Sequence, residues 1–130
     1  YDIDEMQSSA DRLFFPQVFT KTNGKLLWLD RSTGITDTLS FSDGDEGRDG
    51  VYSSAQGNYV ATAVLNDSLT VRIYDVVSGE LLASEVIENA DSTYFYRIPR
   101  IYLLDEARTA VVVLGGSISE INTLVYTFSF

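Results

Sequence analysis

Cysteine and histidine are both missing from this 130-residue chain. Without thiols it can form no disulfide, bind no iron–sulfur cluster and offer no cysteine nucleophile. Without imidazole it lacks the commonest general base and the usual zinc ligand, and a Ser-His-Asp triad is excluded. No Gly-x-Ser-x-Gly elbow occurs. Gly115-Gly116-Ser117-Ile118-Ser119 lacks the Gly-Lys-Ser/Thr ending of a phosphate loop. Paired carboxylates remain as the one acid–base arrangement, and nothing in the sequence places two of them in a pocket. The expectation is a chain that is not an enzyme.

Positive charge is scarce as well. Nine Lys and Arg face nineteen Asp and Glu, for a formal net charge of −10. The only lysines are Lys21 and Lys25, and the arginines are scattered. A nucleic-acid backbone or an anionic membrane surface needs a basic patch, so neither is an expected partner. The longest strongly apolar run, Ala110 to Leu114, falls far short of the roughly 20 residues of a spanning helix, so no membrane insertion is expected. The acidic, lysine-poor, Ser/Thr-rich balance favours an extracellular or periplasmic setting. The chain opens on Tyr1 rather than Met. Either a leader has been removed or the numbering starts inside a longer polypeptide.

What is present is a repeat. Hydrophobic residues make up 45% of the chain, enough for one domain with its own core. In the stretch Tyr59 to Gly79, two β-type runs flank the turn signal Asn66-Asp67-Ser68. Leu69, Val71 and Ile73 alternate with Thr70, Arg72 and Tyr74, which puts one apolar row on a buried face. Asp75 and Ser78-Gly79 close the unit with a turn in which glycine can take positive φ. A shift of 45 residues carries Ser8-Ser9-Ala10 onto Ser53-Ser54-Ala55, Phe14 onto Tyr59, Trp28 onto Ile73, Asp30 onto Asp75 and Gly34 onto Gly79. In a looser third copy, Asp105-Glu106-Ala107-Arg108 stands at Ser54 to Gly57. Thr109 to Leu114 and Leu124 to Phe128 then match the two runs.

Each copy reads as four short strands, and no stretch keeps a helical apolar period. The first copy takes about 1–42, the second about 49–88 and the third about 98–130, where the fourth strand is lacking. The first strand of the first copy is expected at about Tyr1 to Met6, and Pro16 inside the second predicts a bulge or a shortened strand. Four strands per roughly 40 to 45 residues is the spacing of a propeller blade. The predicted fold is all-β, with antiparallel β-propeller blades, roughly three of them, open or part of a larger ring.

The segment Ser53 to Ile87 resembles a blade of the WD40 and YVTN-type propeller families. Gln56-Gly57-Asn58-Tyr59-Val60 stands in the place of the usual turn and strand. Val71-Arg72-Ile73-Tyr74-Asp75 is similar to the third strand with its terminal Asp, and Ser78-Gly79-Glu80 to the turn after it. A blade is covered only by its neighbours, so a stack of just under three leaves two apolar faces bare. Either the stack is part of a larger propeller, or chains assemble so that a partner supplies the missing neighbours. The absent fourth strand leaves an open edge for a strand from another chain.

Candidate sites lie in the connections. The loop from Ser42 to Gly50 offers Asp43, Asp45 and Asp49 to a hard cation such as Ca²⁺, a partial match to an EF-hand-type spacing. The plain alternative is a solvated connector. In a propeller, the blade-to-blade connections and the loops between second and third strands share one side. That groups Asp43, Asp45, Glu46 and Asp49 with Asn66, Asp67, Glu88 and Asp91, as a negative face to steer a cationic partner or simply as hydrated surface. Tyr94, Phe95 and Tyr96 sit in a long connector, either as a contact for a protein or sugar or as the anchor of the loop. Asn66-Asp67-Ser68 is also an N-glycosylation acceptor pattern. Trp28, in the slot of Ile73, is expected in the core. Three functions fit these features. One is a non-catalytic scaffold that binds protein partners. Another is a self-assembling protein whose partner is further copies of itself. The third is the propeller portion of a hydrolase or lactonase whose catalytic residues lie elsewhere.

Overall fold

The computed structural model describes residues 7–15, 25–41, 48–65, 68–88, 99–115 and 123–130. All the regular structure in them is β, in three antiparallel sheets with no helix among the described residues. Sheet one holds β1 (Gln7–Ser8), β2 (Arg12–Phe15), β3 (Lys25–Asp30) and β4 (Thr36–Ser40). Sheet two holds β5 (Arg48–Ser53), β6 (Tyr59–Leu65), β7 (Ser68–Asp75) and β8 (Leu81–Glu88). Sheet three holds β9 (Arg100–Leu104), β10 (Thr109–Gly115) and β11 (Thr123–Ser129). In each sheet the strands pair in chain order as a meander, which makes three blade-like layers. The expected strand at Tyr1 to Met6 and the irregularity at Pro16 lie outside the described residues.

The layers stack, and each junction is an apolar core. Phe14, Leu26, Trp28, Leu39 and Phe41 of sheet one meet Val51, Val60, Tyr74 and Val76 of sheet two. The Phe41 and Tyr74 rings lie 5.1 Å apart in a tilted pair. On its other face sheet two turns Ala61, Ala63, Leu69, Val71 and Ile73 toward Ile101, Leu103, Ala110, Val112 and Leu114 of sheet three. The period of two in β6 and β7 explains this double coverage. Val60 and Tyr74 point one way while Ala61 and Ile73 point the other, and all four are fully buried. Trp28 is in the first of these cores, as its slot implies.

The repeated turn has a physical cause. Asp30 Oδ1 accepts the backbone N–H groups of Ser32 and Thr33 at 2.9 and 3.1 Å. Asp75 Oδ1 accepts those of Val77 and Ser78 at 3.0 and 2.9 Å. Thr33 and Ser78 hydroxyls then accept the N–H two residues on, each at 3.2 Å. Gly34 and Gly79 close the turns at φ 72 and 75, a conformation a Cβ penalises. The pattern Asp-x-x-Ser/Thr-Gly therefore encodes a side-chain-capped turn, built twice.

The 45-residue shift does not hold through β2, however. Phe14 pairs with Trp28, whereas the residue opposite Ile73 is Ala61, so the counterpart of Phe14 is Ala61 and not Tyr59. The turn closed by Ser8 and Leu13 spans residues 9–12, while that closed by Ser53 and Val60 spans residues 54–59. A turn two residues shorter in sheet one moves the second strand, and the connection before β3 restores the offset. In sheet three the Leu104–Thr109 pair matches the Ser54–Tyr59 closure. Asp105 to Arg108 therefore fall at Ala55 to Asn58, one residue beyond the expected place.

Candidate interaction surface

The first turns of the three sheets are joined in a directional chain. Ser9 Oγ donates to the Ser54 carbonyl at 2.6 Å, and the Ala10 N–H donates to the Ala55 carbonyl at 2.8 Å. Arg12, whose guanidinium lies 5.1 Å from the centroid of the Trp28 ring, donates to the Gly57 carbonyl at 2.9 Å. A Cβ on Gly57 would come within 3.1 Å of Ser9 Cβ and 3.2 Å of Arg12 Cβ, so this close approach of two sheets favours glycine. At the next junction Asp105 does by side chain what carbonyls do at the first. Its carboxylate accepts the Ser54 hydroxyl at 2.7 Å and the Gln56 N–H at 3.1 Å. At the other end of β9 the Tyr52 hydroxyl donates to the Pro99 carbonyl. At both junctions these donors sit on the earlier sheet and the acceptors on the later one.

Arg108 is the one described non-glycine residue at positive φ, 48°. Its guanidinium lies 5.5 Å from the ring centroids of both Tyr59 and Phe130, and those two rings meet edge to face at 4.9 Å. The residue at positive φ thus sets its cation against an edge-to-face ring pair that spans the junction of sheets two and three.

The two ends of the stack differ from its middle. On the outer face of sheet three, Tyr102, Leu104 and Val125 are 52, 47 and 59% exposed, with Val111 and Val113 half-buried between them. The ladder joins them, Tyr102 opposite Val111 and Val113 opposite Val125. On the outer face of sheet one, Leu13 pairs with Leu29 and Phe15 with Leu27, all half-buried. β11 pairs with β10 alone, whereas β3 and β7 have strands on both sides, so β11 is an open edge among the described residues.

Of the residues singled out in the sequence, Glu88 ends β8 with an exposed side chain. Asp49 lies in β5, and its side chain is outside the described set. Asp43, Asp45, Glu46, Asn66, Asp67, Asp91, Tyr94, Phe95 and Tyr96 lie outside the described residues, so neither the cation loop nor the acidic face is seen assembled. No group of three or more His, Cys, Asp or Glu able to hold a metal occurs among the described residues. Among the described residues no helix is long and apolar enough to cross a membrane. The sequence reading missed Asp105 as the acceptor between sheets; it expected a bare apolar face at each end of the stack but named no residue of the Tyr102–Val125 face. The signal for that face was available, since β9 and β10 are apolar on both alternating rows.

No protein-family model matches the chain, and no curated protein matches it in sequence.

Proposed function

We propose that this chain is a non-catalytic interaction scaffold of the β-propeller kind, with blades like those of the WD40 and YVTN families, that binds protein partners at strand edges and outer sheet faces. The observation that carries this reading is the third sheet, where an exposed apolar face adjoins a strand with one side unpaired among the described residues. Strand edges recruit extended chains through main-chain hydrogen bonds, and apolar faces recruit neighbouring layers. The Asp-x-x-Ser/Thr-Gly turn, built twice with the same bonds, supports the blade resemblance. An extracellular or periplasmic location fits the acidic, cysteine-free composition.

The edge is tested with a synthetic peptide of residues 80–88, which contains the strand that pairs with β7 at the corresponding place in sheet two. Saturable slowing of amide exchange across β11 on adding the peptide is the expected result. Unchanged exchange there at saturating peptide would remove the edge from the proposal.

A second reading, self-assembly, is favoured by the apolar rows on the outer faces of sheets one and three, half-buried on the first and partly exposed on the third, with no further sheet beyond either among the described residues.

A further inference from the structure

We propose that the outer face of sheet three receives the outer face of sheet one of a second copy, head to tail, repeating between molecules the junction made twice within one. This deepens the scaffold reading and rests on it. Continuity with the two internal junctions is the first support. Through the ladder, Val111, Val113 and Val125 stand at the places of Ala61, Ala63 and Val71, the row that sheet three covers in sheet two. Leu13 and Leu29 likewise stand at the places of Val60 and Tyr74, the row of sheet two that packs on sheet one. One end of the stack therefore presents the leading side of a junction and the other end its trailing side. Faces of opposite kind meet head to tail, not like to like.

Charge is the second support. The chain carries nineteen acidic residues, and copies at −10 repel one another unless the contact excludes carboxylates. The ladder puts Arg100, Tyr102, Leu104, Val111, Val113 and Val125 on the outer face of sheet three. Leu13, Phe15, Leu27, Leu29, Thr36 and Thr38 lie on that of sheet one. Neither row contains an Asp or a Glu. Asp37, between the two threonines, pairs with Trp28 and falls on the opposite face. One sheet face is a small contact beside the roughly 1,200–2,000 Å² of a stable pair, so the association is weak and strengthens as salt screens the repulsion.

Sedimentation equilibrium from micromolar to several hundred micromolar chain, at low and high salt, reads the prediction. The expected result is a mass that rises above one chain with concentration and more steeply at high salt. Val125→Lys on sheet three and Leu27→Lys on sheet one should each weaken association at least about tenfold, since either buries an unpaired ammonium. Thr38→Lys, at an exposed neighbour of Leu27, replaces Leu27→Lys if that variant loses its folded circular dichroism. An equimolar mixture of the two variants restores the match of one good face to one good face and stops at two chains. A single-chain mass for the native protein throughout, association that survives Val125→Lys, or a mixture that stays monomeric would overturn the head-to-tail contact. A monomeric native protein whose β11 amides are still protected by the 80–88 peptide overturns this contact alone and leaves the scaffold reading standing.

Discussion

Val71 and Val125 occupy the same place in two successive sheets, each opposite the residue four beyond the first paired position of its second strand. Val71 is fully buried and Val125 is 59% exposed. Their strands are comparably apolar, with Leu69, Val71 and Ile73 in β7 against Leu124, Val125 and Tyr126 in β11. The difference comes from neighbours. Sheet two has a layer on each side and a fourth strand beyond β7, whereas sheet three has a layer on one side and nothing paired beyond β11 among the described residues. Burial in this architecture is conferred by stacking, and stability is a sum over junctions.

Removing a large group from a junction should have the largest effect. Tyr74 is fully buried against Phe41, and Tyr74→Ala should cost about 3–5 kcal/mol by loss of ring burial and the cavity left behind. Urea unfolding followed by circular dichroism measures it, and a loss below about 1 kcal/mol would mean that the first junction is not a packed core. The paired valines sharpen the comparison. Val71→Ala should cost about 2 kcal/mol and Val125→Ala no more than about 0.5 kcal/mol, measured at a concentration where the chain is monomeric. Equal costs at the two places would show that sheet three is as fully covered as sheet two.

A third test runs in the opposite direction. Thr62 is fully buried, and its hydroxyl has no hydrogen-bond partner among the described residues. Its counterpart in sheet three is Val112, equally buried. Thr62→Val keeps the shape and removes an unsatisfied polar group, so it should raise stability by about 1 kcal/mol. A fall in the urea midpoint would reveal a partner for that hydroxyl.

Strand positions were largely legible because alternation and turn chemistry agree locally. β6, β10 and β11 fall where the pattern puts them, and the Asp-x-x-Ser/Thr-Gly signal locates both capped turns. Equivalence between sheets was harder to read. Phe14 and Tyr59 share an aromatic character and the common shift, yet the shorter first turn puts Phe14 opposite Trp28 and gives its slot to Ala61. Turn length leaves no trace in a shift compensated a few residues later. The Asp105 bridge was illegible for a related reason. A carboxylate in a turn resembles any solvated turn residue, and only the stacking of sheet two brings Ser54 and Gln56 to it. The acidic connector positions, apart from Glu88 and the backbone of Asp49, lie outside the described residues.

The smallest effect concerns the capped turns, and it separates turn chemistry from junction packing. The Asp30 carboxylate accepts the Ser32 hydroxyl at 2.7 Å together with two backbone N–H groups. The Ser32 hydroxyl is the largest cause holding its pKa below the ordinary aspartate value, followed by the N–H groups of Thr33 and Ser32, with slight opposition from desolvation. A depressed folded pKa means that the unfolded chain takes up the proton first. The stabilisation is therefore complete above the ordinary value of 3.8 and fades as pH falls from there through the lower folded value. Asp30→Asn removes the titration but leaves the junction cores intact. The melting temperature of the native chain should exceed that of the variant by a small margin near neutrality, and the margin should close in acid below that value. Two curves that stay parallel through the acid range would show that the charge on Asp30 adds nothing, and that the turn is held by glycine geometry and the stacked sheets alone.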